Sequence, residues 1–399
     1  MKTRLLTIIA LCPLLAGNGW AQQAAAPTDI ETIIASVEAN NTLLKAVRSG
    51  NAATVAEVKS ENTIGETSVE YSPFFRKGVG GTASSELIVS QEFDFPTVYG
   101  ARSKSASLRQ NVLDHEYAVV RREVLLEAQG LYYDLLMVMG KRSLLNERRA
   151  VADSLLAVCE KRMKAGDTNV LEYNKVGIDR MTVMTEVTAN DGEVERIRLG
   201  MERLGLAPEL LQRLMASLQD FSYWDNSPQP SSCSLQGKGA EVSFAEATLQ
   251  LAEHDVRLSQ MGWLPKLTVG YRRNTEYEEA ASNGFLVGVS VPLFSNSKKV
   301  SAARMRKNAA EQQLENTRYQ TESRKRSLQA EAASLQKQLA TYDMTLMCRT
   351  LTTLLRAVRA GELPIADYYR EADNVYSKLQ DRLTIENSYN KAMAELATY

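Results

Sequence analysis

Glu172 and Asp367 are carboxylates whose settings repeat. KAGDTNVLEY, residues 164–173, is echoed by RAGELPIADY, residues 359–368, which pairs Lys164 with Arg359, Gly166 with Gly361, Asp167 with Glu362, Val170 with Ile365, Glu172 with Asp367 and Tyr173 with Tyr368. A glycine in the left-handed conformation can stop one helix, and Pro364 suits the first turn of the next. Glu172 and Asp367 then fall in first turns, where a carboxylate stabilises the positive end of the helix dipole by a few tenths of a kcal/mol. That is one account of the pair; a functional role for the charge is the other. Other chemistry is sparse. His115 and His254 stand alone, with no cysteine or carboxylate at metal-ligand spacing, and GxxxxGK[ST], HExxH and CxxC are all absent. The chain is expected to be no enzyme and to hold no cofactor or metal. Its 13 methionines include Met181 and Met184 in a helical MTVMTEV, which reads as core or interface filler.

The bulk properties narrow the class further. A balance of 47 basic against 48 acidic residues, with no single-sign block, argues against a nucleic-acid partner. Lys2 and Arg4 precede the apolar run LLTIIALCPLLAG, and small residues follow at Gly19 and Ala21, so residues 1–21 read as a signal peptide cleaved after Ala21. Cys12 lacks a preceding small residue, and no lipid anchor is expected. Cys159, Cys233 and Cys348 remain. They read as small apolar residues, with a Cys159–Cys348 disulfide as an alternative that sequence cannot assign.

These carboxylates must be held by a repeated scaffold. At an offset of 200, Val69 and Tyr71 match Val269 and Tyr271, and Val89 and Ser90 match Val289 and Ser290. Two copies of one unit follow, residues 22–220 and 241–399, joined by a Ser-, Pro- and Gly-rich segment at 221–240. Each copy opens with a modest helix and then alternates with a period of two: LIVSQEFDF in the first, FLVGVSVPL in the second, with shorter partners ETSVEYS and KLTVGYR. This predicts two strands per copy, within about 64–95 and 264–294, of the length a tilted membrane strand needs. Four strands cannot close a barrel; three copies would supply twelve. Thr97–Ala165 and Ser295–Ala360 are free of proline, and each predicts one helix of nearly 70 residues, about 100 Å long. Leu113, Tyr117, Val120, Val124, Ala128, Leu131, Leu135 and Val138 step by fours and threes, as do Leu328, Ala332, Leu335, Leu339, Tyr342 and Leu346, which is coiled-coil spacing. The glycine turns near 166 and 361 become hairpin tips, with return helices Val170–Leu206 and Ile365–Ala397.

The order helix, two strands, long hairpin, repeated once, with PLFSNSKKVSAARMR after the fourth strand and glycine turns at the tips, resembles the TolC-like outer-membrane efflux factors over essentially the whole mature chain. The resemblance implies a mostly α protein with a membrane β-barrel portion. Three copies would form a twelve-stranded barrel in outer-membrane lipid above a tube of long antiparallel helical hairpins in the periplasm. It further implies export of small toxic molecules, with a periplasmic adaptor and an inner-membrane pump as partners. Carried over by position, Gly166, Asp167 and Thr168, with Gly361, Glu362 and Leu363, become adaptor-contacting tips. Asp367 falls at the periplasmic constriction, with Glu172 a second candidate from the other hairpin. Two positions depart from the family pattern: Arg370 stands where a second carboxylate is expected, and Val358 where an aromatic is. A periplasmic coiled-coil scaffold would account for the helices but leaves the paired strands unexplained.

Overall fold

The computed structural model describes residues 30–78, 80–166, 168–218, 239–276, 279–292 and 296–399. The signal-peptide reading, Asp167, Cys233 and nearly all of the 221–240 segment lie outside the described residues. Period-two alternation becomes four strands: β1 (Thr67–Phe74), β2 (Ser84–Phe93), β3 (Lys266–Glu276) and β4 (Ser282–Ser290). They form one antiparallel sheet in the order β1-β2-β3-β4, in which the β2–β3 ladder joins the two β-hairpins. The register aligns Val69 with Val89, Val89 with Tyr271, and Tyr271 with Phe285. Because side chains alternate between faces, the odd-numbered apolar residues of all four strands share one face. That face is bare: Phe285 is 92% exposed and Val287 78%. The opposite face carries Glu86 paired with Arg272 at 2.9 Å and Glu92 paired with Lys266 at 2.5 Å.

Ahead of the strands lie α1 (Ile30–Asn40) and α2 (Thr42–Ser60) in the first repeat and α6 (Ala240–Met261) in the second; a short α5 (Pro208–Ser217) follows the first hairpin. The first hairpin matches expectation: α3 runs unbroken from Pro96 to Lys164, 69 residues, and α4 returns from Val170 to Arg203. Pro96 occupies the first turn, where its missing N–H costs nothing. The predicted α3 stripe is buried or half-buried along its length.

The second hairpin corrects the sequence reading. Its descending limb is two helices, α7 (Ser297–Ala340) and α8 (Met344–Ala360), and only the return helix α9 (Ile365–Leu396) is continuous. No proline makes the break. The Asp343 carboxylate accepts the Leu346 N–H at 2.9 Å, capping a new helix, while the Thr341 hydroxyl donates to the Gln338 carbonyl at 2.7 Å. The apolar stripe shifts at this point: Leu346 is exposed, and Met344, Met347, Leu351 and Leu354 pack inward instead. A five-residue step from Leu339 to Met344 thus replaces the three-and-four rhythm.

The two largest cores lie along the helices, beside two smaller clusters around Val112 and Leu328. The upper one packs Ile33 and Leu44 against Leu125, Leu135, Ile197 and Leu214; the lower one packs Leu144, Leu155, Cys159 and Val176 against Val358, Ile365, Tyr368 and Leu379. Cys159 is buried and Cys348 is exposed, and both are free, so the disulfide alternative fails and Cys348 is not the buried apolar residue expected.

Removing the Asp343 cap with Asp343→Ala is expected to cost about 1 kcal/mol. Chemical denaturation followed by helical circular dichroism checks this, and a Thr→Ala change at exposed Thr353 serves as the neutral comparison.

Candidate functional site

Each tip is closed by its glycine. Gly166 has φ +80° and Gly361 φ +77°, conformations that L side chains rarely adopt. At the second tip the Glu362 N–H reaches the Ala357 carbonyl at 3.0 Å and the Gly361 N–H reaches Val358 at 3.1 Å, satisfying carbonyls that the end of α8 leaves free. Pro364 is the residue before α9, at its cap, one place earlier than expected. At the first tip Asn169 caps α4, its side-chain oxygen accepting the Glu172 N–H at 2.9 Å. Asn169 was missed in the sequence, although an Asn just before an apolar-periodic run is an N-cap signal.

The structure treats the two carboxylates differently. Glu172 hydrogen-bonds the Thr168 hydroxyl of its own turn. Asp367, in the first turn of α9, pairs with Arg370 at 3.2 Å, and Arg370 also meets Glu371 at 3.2 Å. Arg370, read as a departure, therefore sits on the same helix face as Asp367 and screens it; its side chain is 70% exposed, which leaves the pair weak and salt-sensitive. Val358 is buried in the lower core, so the position where an aromatic is expected belongs to that core. Glu362 is exposed and Leu363 packs against the lower core. Glu172 and Asp367 thus have separate partners, Thr168 and Asn169 for one and Arg370 for the other.

Above the tips lies a cluster that periodicity could not reveal. Arg148 on α3 reaches Asp373 on α9 at 2.7 Å, Asp179 on α4 at 3.1 Å and Glu186 on α4 at 3.6 Å, and lies 5.7 Å from the Tyr376 ring centre. Burial opposes the charge on Arg148, but Asp373, Asp179 and Glu186 together hold its pKa above the usual value. Asp179 is shifted the other way: burial raises it against the pull of Arg148, and its second oxygen has no partner. One guanidinium thus serves three carboxylates and ties α9, the helix that bears Asp367, to both limbs of the first hairpin. Burial also lifts the hydroxyl of neighbouring Tyr368 to about 12, and that of Tyr369 higher still.

Elsewhere, a recess of about 490 Å³ at the strand–helix junction is lined by Glu92, Asp94, Arg102 and Lys266. Four of its five charges are paired, Arg102 with Asp94 at 2.7 Å and Lys266 with Glu92, and the fifth is the exposed Lys299. Among the described residues no group of three His, Cys, Asp or Glu side chains is arranged to hold a metal. No described helix is long and apolar enough to cross a membrane.

Arg148→Met strands three carboxylates without their cation and is expected to cost about 2–3 kcal/mol, below the full buried-pair value because Asp373 is half exposed. Asp179→Asn keeps an acceptor for Arg148 while removing an under-compensated buried charge, and is expected to change stability by less than about 1 kcal/mol. Denaturation midpoints of the two variants, compared at neutral pH, separate these outcomes.

No protein-family sequence model matches the chain, and no characterised protein matches it in sequence. Solved structures do match. The outer membrane channel CmeC of Campylobacter jejuni shares 13% identity at a TM-score of 0.69, covering 99% of this chain and 93% of its own. The outer-membrane channel OprN shares 15% at 0.70, covering 95% and 91%, and a membrane protein of Pseudomonas aeruginosa shares 14% at 0.71, covering 92% and 89%. More than nine-tenths of the chain superposes on each of these structures, and the chain has the TolC-like fold of the outer-membrane channels.

Proposed function

We propose that three copies of this chain form an outer-membrane channel whose helical hairpins make a periplasmic tube, and that it passes small molecules outward when docked to a periplasmic adaptor and an inner-membrane pump. The observation that carries this reading is the sheet. Its odd-numbered face is apolar and exposed, and its two outer strands, β1 and β4, each have one unpaired edge. In hydrocarbon, open backbone edges cost several kcal/mol per group, so the edges must meet, and twelve strands from three chains close a barrel. The full-length likeness to CmeC and OprN supports the same assembly. A soluble scaffold gives no reason for that apolar face.

The glycine turns are the surfaces offered to an adaptor, with exposed Gly166, Gly361 and Glu362 and the part-buried Thr168 and Leu363; Asp167, next to Gly166 in sequence, completes the proposed set. Asp367 is the residue proposed to narrow the tube. Three Asp367 carboxylates near one axis would repel, and the same-helix Arg370 lowers that repulsion, so the constriction is softer than an all-acidic ring. Glu172, already bonded within its turn, contributes less.

The test replaces Asp367 with cysteine in a Cys233→Ser, Cys348→Ser background, which removes the thiol exposed among the described residues and the one outside them. Oxidative cross-linking in membranes is expected to join neighbouring chains in a trimer, and Asp367→Asn is expected to reduce block by divalent cations in planar-bilayer currents. A purified protein that is a monomer and soluble without detergent would overturn the reading.

A further inference from the structure

The strand register sorts charge by face. On the polar face lie Glu70, Glu86, Glu92 and Glu276 together with Lys266 and Arg272. On the apolar face, among the described strand residues, a single charged side chain occurs: Arg273, which sits opposite Leu87 on β2 and Asn283 on β4. The two adjacent arginines therefore have opposite settings. Arg272 is held by Glu86 at 2.9 Å. Arg273 is exposed, with Tyr271 as its neighbour on the same face and no carboxylate on that face to meet it.

Its height on the sheet is also informative. Arg273 lies three residues from the end of β3, at the end where β1 joins β2 and β3 joins β4, and where the exposed loop cations Arg76 and Lys77 stand. Below it the same strand shows only Tyr271, Val269 and Leu267 on this face. The helices leave from the opposite end, so the Arg273 end is the one directed away from the tube. An arginine is costly at the middle of a bilayer but nearly free at its interface, and a guanidinium matches phosphate with paired hydrogen bonds.

Resting on the membrane-channel reading above, we propose that Arg273 is a lipid-binding residue that takes a phosphate of the phosphorylated glycolipid forming the outer leaflet. Tyr271 packs beside the acyl chains, and Arg76 and Lys77 add positive charge at the same end of the sheet, where Glu276 and Glu279 lie at the other turn. With three copies, the barrel carries three such sites, one on each β3.

The test uses the detergent-purified, full-length assembly in mixed micelles with diphosphorylated lipid A, dephosphorylated lipid A or phosphatidylglycerol, with bound lipid counted by native mass spectrometry. Wild type is expected to retain the diphosphorylated glycolipid best. Arg273→Gln is expected to weaken that binding about fivefold, as removal of one basic residue at a lipid surface implies, and Arg273→Lys is expected to recover part of it. Equal binding by wild type and Arg273→Gln, or equal retention of the dephosphorylated form, would overturn the site. Equal retention of phosphatidylglycerol would overturn the choice of glycolipid. Flotation with phosphatidylcholine vesicles tells the two readings apart: wild type that fails to enter them sinks the channel reading and this one together, whereas wild type that inserts but ignores the Arg273 change sinks only this inference.

Discussion

A sheet of four strands has two edges, and an apolar face cannot keep those edges open in hydrocarbon. Every other feature of the chain is consistent with answering that constraint. The two β-hairpins join directly, β2 to β3, which leaves β1 and β4 as the outer strands, the ones the trimer proposed above would join. Closure by repetition removes the edges altogether, which no arrangement of helices over a lipid-facing sheet could do. The long helices begin or end close to the strands, α3 starting at Pro96 after β2 ends at Phe93 and β3 starting at Lys266 after α6 ends at Met261, so the sheet sets where they start.

That geometry explains why α3 is long and needs no cap beyond Pro96. Its stability comes from neighbours on several sides: α4 from its own hairpin, α6 and α9 from the other repeat, and α1 and α2 near the top. A 69-residue helix with so little amphipathic preference overall is what results when different stretches face different partners. The second descending limb has fewer such neighbours and is more polar, and there a single Asp343 side chain suffices to divide it. The cap re-phases the apolar stripe so that α8 can join the lower core while α7 faces α6 and α9.

The lower core shows how packing and charge divide their work. Leu155, Val176, Val358 and Leu379 supply the apolar contact between hairpins, and burial there is worth about 25 cal/mol per Å². Apolar contact alone allows helices to slide. Arg148 fixes the relative heights of α3, α4 and α9, because its donors can reach Asp179, Glu186 and Asp373 together only in one register. The cost is visible in Asp179, which burial shifts away from its charged form. Asp367 lies two turns nearer the tip on the same α9, so its position is set by this junction more than by its own weak pair with Arg370.

The amino-acid sequence by itself determined the elements whose information is local and periodic. Alternation in LIVSQEFDF and FLVGVSVPL fixed strands and their apolar faces, the absence of proline permitted helix from Thr97 to Ala165, and Gly166 and Gly361 fixed the tips, because only glycine adopts those turns without strain. The twin spacing around Glu172 and Asp367 pointed to a repeat, and the order of elements to the fold. The tertiary structure decided whatever depends on residues far apart in the chain: that β2 pairs with β3, that Val358 is buried in the lower core, and that Arg148 gathers carboxylates from α4 and α9. It also decided the break at Asp343, where a short-range cap outweighed a permissive pattern that packing no longer reinforced. Periodicity reports which face of a segment is apolar, but charge pairing across helices depends on their relative heights, and those are set only once the segments pack.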